Sequence, residues 1–165
     1  MATVRDGNKS VLLVVDVQKV VVTSAFERDS VIKNVGIMIQ KAREKIVPIV
    51  WVQHSDDAIK YKSDDWEIAP ELSIDKGDYR IDKHYNSSFE ETDLEKVLKT
   101  VVATQIVLVG AATNWCIRAT AYGALDRGYD VTLISDAHTT KSLQLPTGKT
   151  INAEDVITDL NVALS

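Results

Sequence analysis

The chain has one cysteine, three histidines, three prolines and seven glycines in 165 residues. A single thiol forms no intramolecular disulfide, which fits a reducing compartment. Few glycines and prolines, with 45% hydrophobic and 26% charged residues, exclude a low-complexity or linker-rich chain. Positive charge is also scarce. The formal net charge of -5 argues against nucleic acid as a partner, since phosphate binding needs a basic surface. A long apolar run is missing too: the polar start MATVRDGNKS leads into a short apolar stretch that stops at Asp16, and no cleavage pattern follows. The expectation is a cytoplasmic protein with no membrane partner, its residues 1–165 forming one domain.

What is present alternates. VLLVVDV (11–17) is a continuous β-branched run, read as a strand buried on both faces. Over 29–43, Val31, Ile32, Val35, Met38, Ile39 and Ala42 fall at helical spacing, with Asp29 or Ser30 placed to cap. IVPIVWVQ (46–53) reads as a second strand, with Pro48 near its start. Residues 55–78 hold two Asp-Asp pairs, Trp66, Pro70 and Gly77 without a period, and read as an excursion over the sheet edge. DYRIDK (78–83) is a short strand, and Ser87 or Ser88 can cap a helix over 91–100. QIVLVG (105–110) is a fourth strand, 114–127 a helix closed by Gly128, YDVTLIS (129–135) a fifth strand, 136–150 a loop and 152–164 a last helix. This pattern predicts an α/β fold: a three-layer α/β/α sandwich around a parallel sheet of five or six strands, Rossmann-like in its winding. Ligands of such sheets bind beyond the carboxyl ends of the strands.

Three residues stand at those ends. Asp16 closes the first strand, Lys83 the third, and Cys116 lies six residues past the fourth. Each alone has a plain role: a loop-bonding carboxylate, a solvated charge, a small core filler. Asp16 ends so apolar a strand that it needs a partner. Together they make chemical sense. A helix N-terminus and an ammonium favour the thiolate, a carboxylate can take the thiol proton, and the turn GAATNWC offers backbone N–H groups to an oxyanion. His54 or His84 could instead activate Cys116 in the manner of cysteine–histidine hydrolases, and His138 reads as stabilising a loop near the cleft rim.

LLVVDVQ, the lysine of DKHYNSSFEET and LVGAATNWCIRATAYGALDRGYDVTLISDAHTT resemble the isochorismatase-like cysteine hydrolases, the superfamily that also holds the nicotinamidases. The likeness runs from about residue 11 to 140. It implies a catalytic triad of Asp16, Lys83 and Cys116, and an oxyanion hole from the N–H groups of Ala112 and Cys116. It also implies a cis peptide at Ala111-Ala112 and attack on an amide-like carbonyl through a thioester. Nicotinamidases bind a metal with an Asp-x-His after the second strand and a further histidine. Here that place reads Val52-Gln53-His54, with no other histidine before His84, so no metal and no cofactor are expected. Isochorismatases cleave a vinyl ether without needing a cysteine, so Cys116 favours C–N cleavage in a small amide, carbamoyl or lactam substrate. A silent binding module on the same fold and a vinyl-ether hydrolase are the alternatives. A short or absent sixth strand and a homo-oligomer, dimer or tetramer, are further expectations. Gln18, Phe26, His54, Trp66, Tyr85, Asn114 and Trp115 lie beyond strand ends or in the irregular segment and are the candidate pocket lining.

Overall fold

The β-branched runs form the middle layer of the molecule. The computed structural model describes residues 6–165. β1 (Ser10–Val15), β2 (Ile49–His54), β3 (Tyr79–Lys83), β4 (Gln105–Ala111) and β5 (Asp130–Thr139) make one parallel sheet in the order β3-β2-β1-β4-β5. The winding goes outward from β1 to β3, then returns to place β4 on the other side of β1. The order therefore reverses between β1 and β4, and their carboxyl ends open the crevice where such sheets bind ligands.

Alternation along β1 divides two cores. Leu12 and Val14 face α2 (Arg28–Glu44), whose Val31, Ile32, Val35 and Ile39 are buried against them. Val11, Leu13 and Val15 face the opposite layer, built from α3 (Leu94–Thr100), α4 (Arg118–Asp126) and α5 (Ala153–Ala163). The one-turn α1 (Lys19–Val22) follows β1, and a two-residue hairpin, β6 (Leu143–Gln144) with β7 (Thr150–Ile151), precedes α5. Because that hairpin is a separate sheet, the main sheet stops at five strands. Among the described residues no helix is long and apolar enough to cross a membrane.

Several boundaries differ from the periodicity. α2 starts at Arg28 behind a left-handed Glu27 (φ 47), so Asp29 and Ser30 lie inside its first turn rather than at the cap. Ser88 is buried and bonded to Thr120, and the short α3 begins only at Leu94, whose N–H meets the Thr92 hydroxyl at 3.2 Å. The segment 55–78 packs beside α2 over the β2 side of the sheet and reaches in to the end of β1. Ala69 N–H donates to Val17 O at 2.9 Å and Lys19 N–H to Glu67 O at 2.8 Å, because Ile68, Ala69, Leu72 and Ile74 complete the core under α2. β5 runs to Thr139, through part of the expected loop. Leu108 pairs with Leu133 and Gly110 with His138, so two steps along β4 span five along β5. That bulge carries a polar stretch that looks like loop but is buried at His138 and Thr139.

Gly110 shows how closely β1 and β4 meet at the crevice. Its φ is +127, and a Cβ there would sit 1.9 Å from Val15 O. Gly110→Ala should cost about 3 kcal/mol or more of stability in urea unfolding, since backbone must move. Gly77→Ala, where nothing lies within 4 Å, should change it by less than about 0.5 kcal/mol.

Candidate active site

β1 ends in a turn at Asp16 (φ 50), whose N–H donates to Val52 O at 2.9 Å. β3 ends at Lys83, paired with His54 of β2. Past β4, a cis peptide joins Ala111 to Ala112, and residues Thr113–Ile117 make a π turn that runs into α4. Its carbonyl anchor is Ala112 O, which accepts from Trp115 N–H at 3.0 Å and Ile117 N–H at 3.2 Å. Cys116 therefore stands in the first turn of a continuous helical segment, above the β1–β4 crevice.

The three strand-end residues meet there. Lys83 Nζ lies 2.8 Å from Asp16 Oδ2 and 3.1 Å from Cys116 Sγ. It also reaches Tyr85 O at 3.1 Å and His54 Nδ1 at 3.4 Å. Asp16 and Lys83 are each 1% exposed, and Cys116 9%. Asp16 Oδ1 is buried without a hydrogen-bond partner. A buried carboxylate oxygen left open beside a thiol is a ready proton acceptor.

The electrostatics depart from the sequence expectation. Burial and the Asp16 carboxylate push the Cys116 thiol up to about 12, and the opposing pull of Lys83 is outweighed. Burial draws the Lys83 ammonium down, but Asp16 and Cys116 together hold it above its usual value. The resting cluster is thus an Asp16–Lys83 ion pair beside a neutral thiol, not a preformed thiolate. A thiolate would add a second buried anion to one cation.

The expected pocket residues separate into two groups. Gln18 is fully buried, donating to His54 O and Trp66 O at 2.9 Å each and accepting from His54 N–H at 2.8 Å. Its amide has nothing left for a ligand; it clamps the ends of β1 and β2. Trp66 is 4% exposed and packs edge-on against Tyr61, so it fills the 55–78 segment instead of walling a pocket. His54 joins Lys83 to Asp56, its Nε2 lying 3.0 Å from Asp56 Oδ2. Asn114 Oδ1 accepts from the Thr140 hydroxyl at 2.6 Å. Phe26, Tyr85 and Trp115 are 38%, 42% and 52% exposed and remain open to a ligand. His84 turns to Ser55 O at 2.9 Å, and neither it nor His54 is bonded to the thiol. His138 is not in a loop but in β5, bonded to Thr113 and Asn161. Sequence reasoning passed over Asn86, whose Oδ1 is 4.0 Å from Sγ, and Thr113 and Thr140, which tie the Cys116 turn to β5 and the residue after it. Polar letters within GAATNWC and DAHTT were the only signal. Among the described residues no three His, Cys, Asp or Glu side chains converge as a metal site.

The family model of the isochorismatase domain matches residues 10–155. The isochorismatase family protein YwoC of Bacillus subtilis (strain 168) is 31% identical over 154 residues, covering 83% of this chain and 81% of its own. A cysteine hydrolase from Pseudomonas syringae pv. phaseolicola 1448A superposes with a TM-score of 0.90 at 22% identity, over 99% of this chain and 89% of its own. N-carbamoylsarcosine amidase from Thermoplasma acidophilum superposes with a TM-score of 0.72 at 26% identity, over 81% and 85%.

Asp16 raises the thiol pKa, so neutralising it lowers that pKa. Asp16→Asn should alkylate with iodoacetamide faster than wild type at pH 8, about tenfold for each pKa unit removed. A slower variant would mean that Asp16 does not act on Cys116 through its charge.

Proposed function

This chain belongs to the isochorismatase family, and from that premise we propose that it is a metal-independent cysteine hydrolase cleaving a C–N bond in a small amide, carbamoyl or lactam substrate. The observation that carries this reading is Lys83 Nζ set between Asp16 Oδ2 and Cys116 Sγ while Asp16 Oδ1 stays open.

On this reading the geometry supports the following steps. Cys116 Sγ attacks the substrate carbonyl carbon as Asp16 takes the thiol proton, so no free thiolate has to persist. The carbonyl π pair moves onto oxygen, and the N–H groups of Ala112 and Cys116 hold the oxyanion. Lys83 holds the Asp16 side chain in place through their 2.8 Å ion pair. The C–N bond then breaks, the nitrogen takes the proton from Asp16, and the amine departs, leaving a thioester. Water attacks that thioester with Asp16 again as base. The C–S bond breaks, the sulfur recovers its proton, and an acid is released. On this reading the exposed side chains of Phe26, Tyr85 and Trp115 would contact a small, flat group.

Two further points favour the metal-free amide reading. Both ring nitrogens of His54 are engaged, one by Lys83 and one by Asp56. The chain is also similar to N-carbamoylsarcosine amidase, which supports a carbamoyl or amide substrate class.

A panel of small amides, carbamates and lactams, followed by amine release, tests the reading. Hydrolysis should fall by about a thousandfold or more in Cys116→Ala and by about a hundredfold or more in Asp16→Asn, and chelators should leave it unchanged. Full turnover by Cys116→Ala, or activity lost to a chelator and restored by a divalent metal, would overturn it.

A further inference from the structure

The bulge in β5 returns the strand to β4 with His138 opposite Gly110, directly beside the nucleophile turn. His138 is 1% exposed and the Thr113 it meets is wholly buried. Its Nδ1 lies 2.9 Å from Thr113 Oγ1 and its Nε2 lies 2.9 Å from Asn161 Oδ1 of α5. The Asn161 amide nitrogen donates to Ser135 O at 3.1 Å, inside the bulge. That bond orients the amide, so the atom facing His138 is an oxygen, which only accepts. Nε2 must then carry the proton. Nδ1 is left as an acceptor, and the Thr113 hydroxyl donates to it. Burial holds the imidazole pKa below its usual value, against the opposing pulls of Asn161 and Asp136, so the neutral ring that this arrangement needs is the stable one.

The chain Ser135 O–Asn161–His138–Thr113 thus has one consistent set of donors. It ends on the first residue of the π turn, three positions before Cys116. We propose that His138 is a positioning residue for the nucleophile: through the Thr113 hydroxyl it fixes the turn that sets Cys116 Sγ 3.1 Å from Lys83 Nζ. The proposal rests on the reading of Cys116 as nucleophile, but it is tested on the thiol itself. A loosened turn carries Sγ away from the Asp16–Lys83 pair and toward solvent, and because burial and Asp16 together outweigh Lys83 on the thiol, the pKa falls.

The test is the pH dependence of Cys116 alkylation in the intact chain, with thermal melting in parallel. His138→Asn puts an amide oxygen where Nδ1 accepts and gives up the contact to Asn161. His138→Gln keeps a donor for Asn161 and offers Thr113 no acceptor at the Nδ1 place. Alkylation at fixed pH should quicken by about tenfold, one pKa unit, in His138→Gln and Thr113→Val. It should stay at the wild-type rate in His138→Asn and Thr113→Ser, even where melting temperatures drop. The reverse order, Gln like wild type and Asn quickened, would show that His138 only tethers α5 and would overturn the proposal. An unchanged profile in Thr113→Val would overturn it as well, and that variant carries the test if the His138 variants do not fold. Amide turnover is a separate readout: its absence from wild type would sink the hydrolase reading while leaving a His138-dependent thiol in place.

Discussion

Everything at the crevice depends on one buried ion pair. Asp16 and Lys83 are held 2.8 Å apart with side chains 2% and 0% exposed. Two charges taken out of water cost several kcal/mol each, and their attraction offsets this only where geometry is tight and other hydrogen bonds complete the shells. The sheet supplies that geometry. Val15 is level with Val52 and Ile81, and His54 with Lys83, so Asp16, just past β1, comes close to Lys83 across the end of β2. Asp16 then turns at φ 50 and Lys83 adds Tyr85 O to its contacts. Removing either partner would leave the other charge unpaired, at a cost of about 3–5 kcal/mol. The pair is therefore a condition for the local fold as well as for chemistry.

That pair also decides the state of the thiol. With Asp16 negative and Lys83 positive the cluster is already neutral, and a thiolate would leave one buried charge in excess. The push to about 12 follows from this balance. On the proposed mechanism negative charge appears only as the carbonyl accepts it, and it is then carried by an oxygen facing backbone donors. The arrangement keeps the sulfur inert at rest and spends the electrostatics on the reacting state.

Much of this was legible in the sequence, and the limits have a physical form. Asp16, Lys83 and Cys116 could be read because a charged or reactive residue at the end of a β-branched run is conspicuous, and alternation placed all three on one edge of a parallel sheet. Gln18, just past a strand end, and Trp66, in the irregular 55–78 segment, read as pocket lining; burial gave the Gln18 amide to backbone carbonyls and the Trp66 ring to packing. β5 was cut short because hydropathy cannot tell a buried polar strand with side-chain partners from a loop. The caps were misplaced for a similar reason. Glu27 starts α2 by its backbone conformation, with no side-chain cap bond.

Two amides, Gln18 buried and Asn161 half-buried, now stand out as what sets the crevice between its walls. On the β2 side Gln18 ties His54 and Trp66 to the turn after β1. On the β5 side Asn161 ties the bulge to His138, and His138 to the nucleophile turn. Apolar packing is non-directional and tolerates small shifts, whereas each of these amides is satisfied in a single orientation. A shift of a few tenths of an ångström in either wall would strand a buried donor or acceptor, and the resulting penalty falls on the wall rather than on the triad. Precision at the sulfur is therefore imposed from outside the reacting groups. The backbones of Phe26, Tyr85 and Trp115 belong to that framework, bonded to Thr140, Lys83 and Ala112, while their side chains stay exposed.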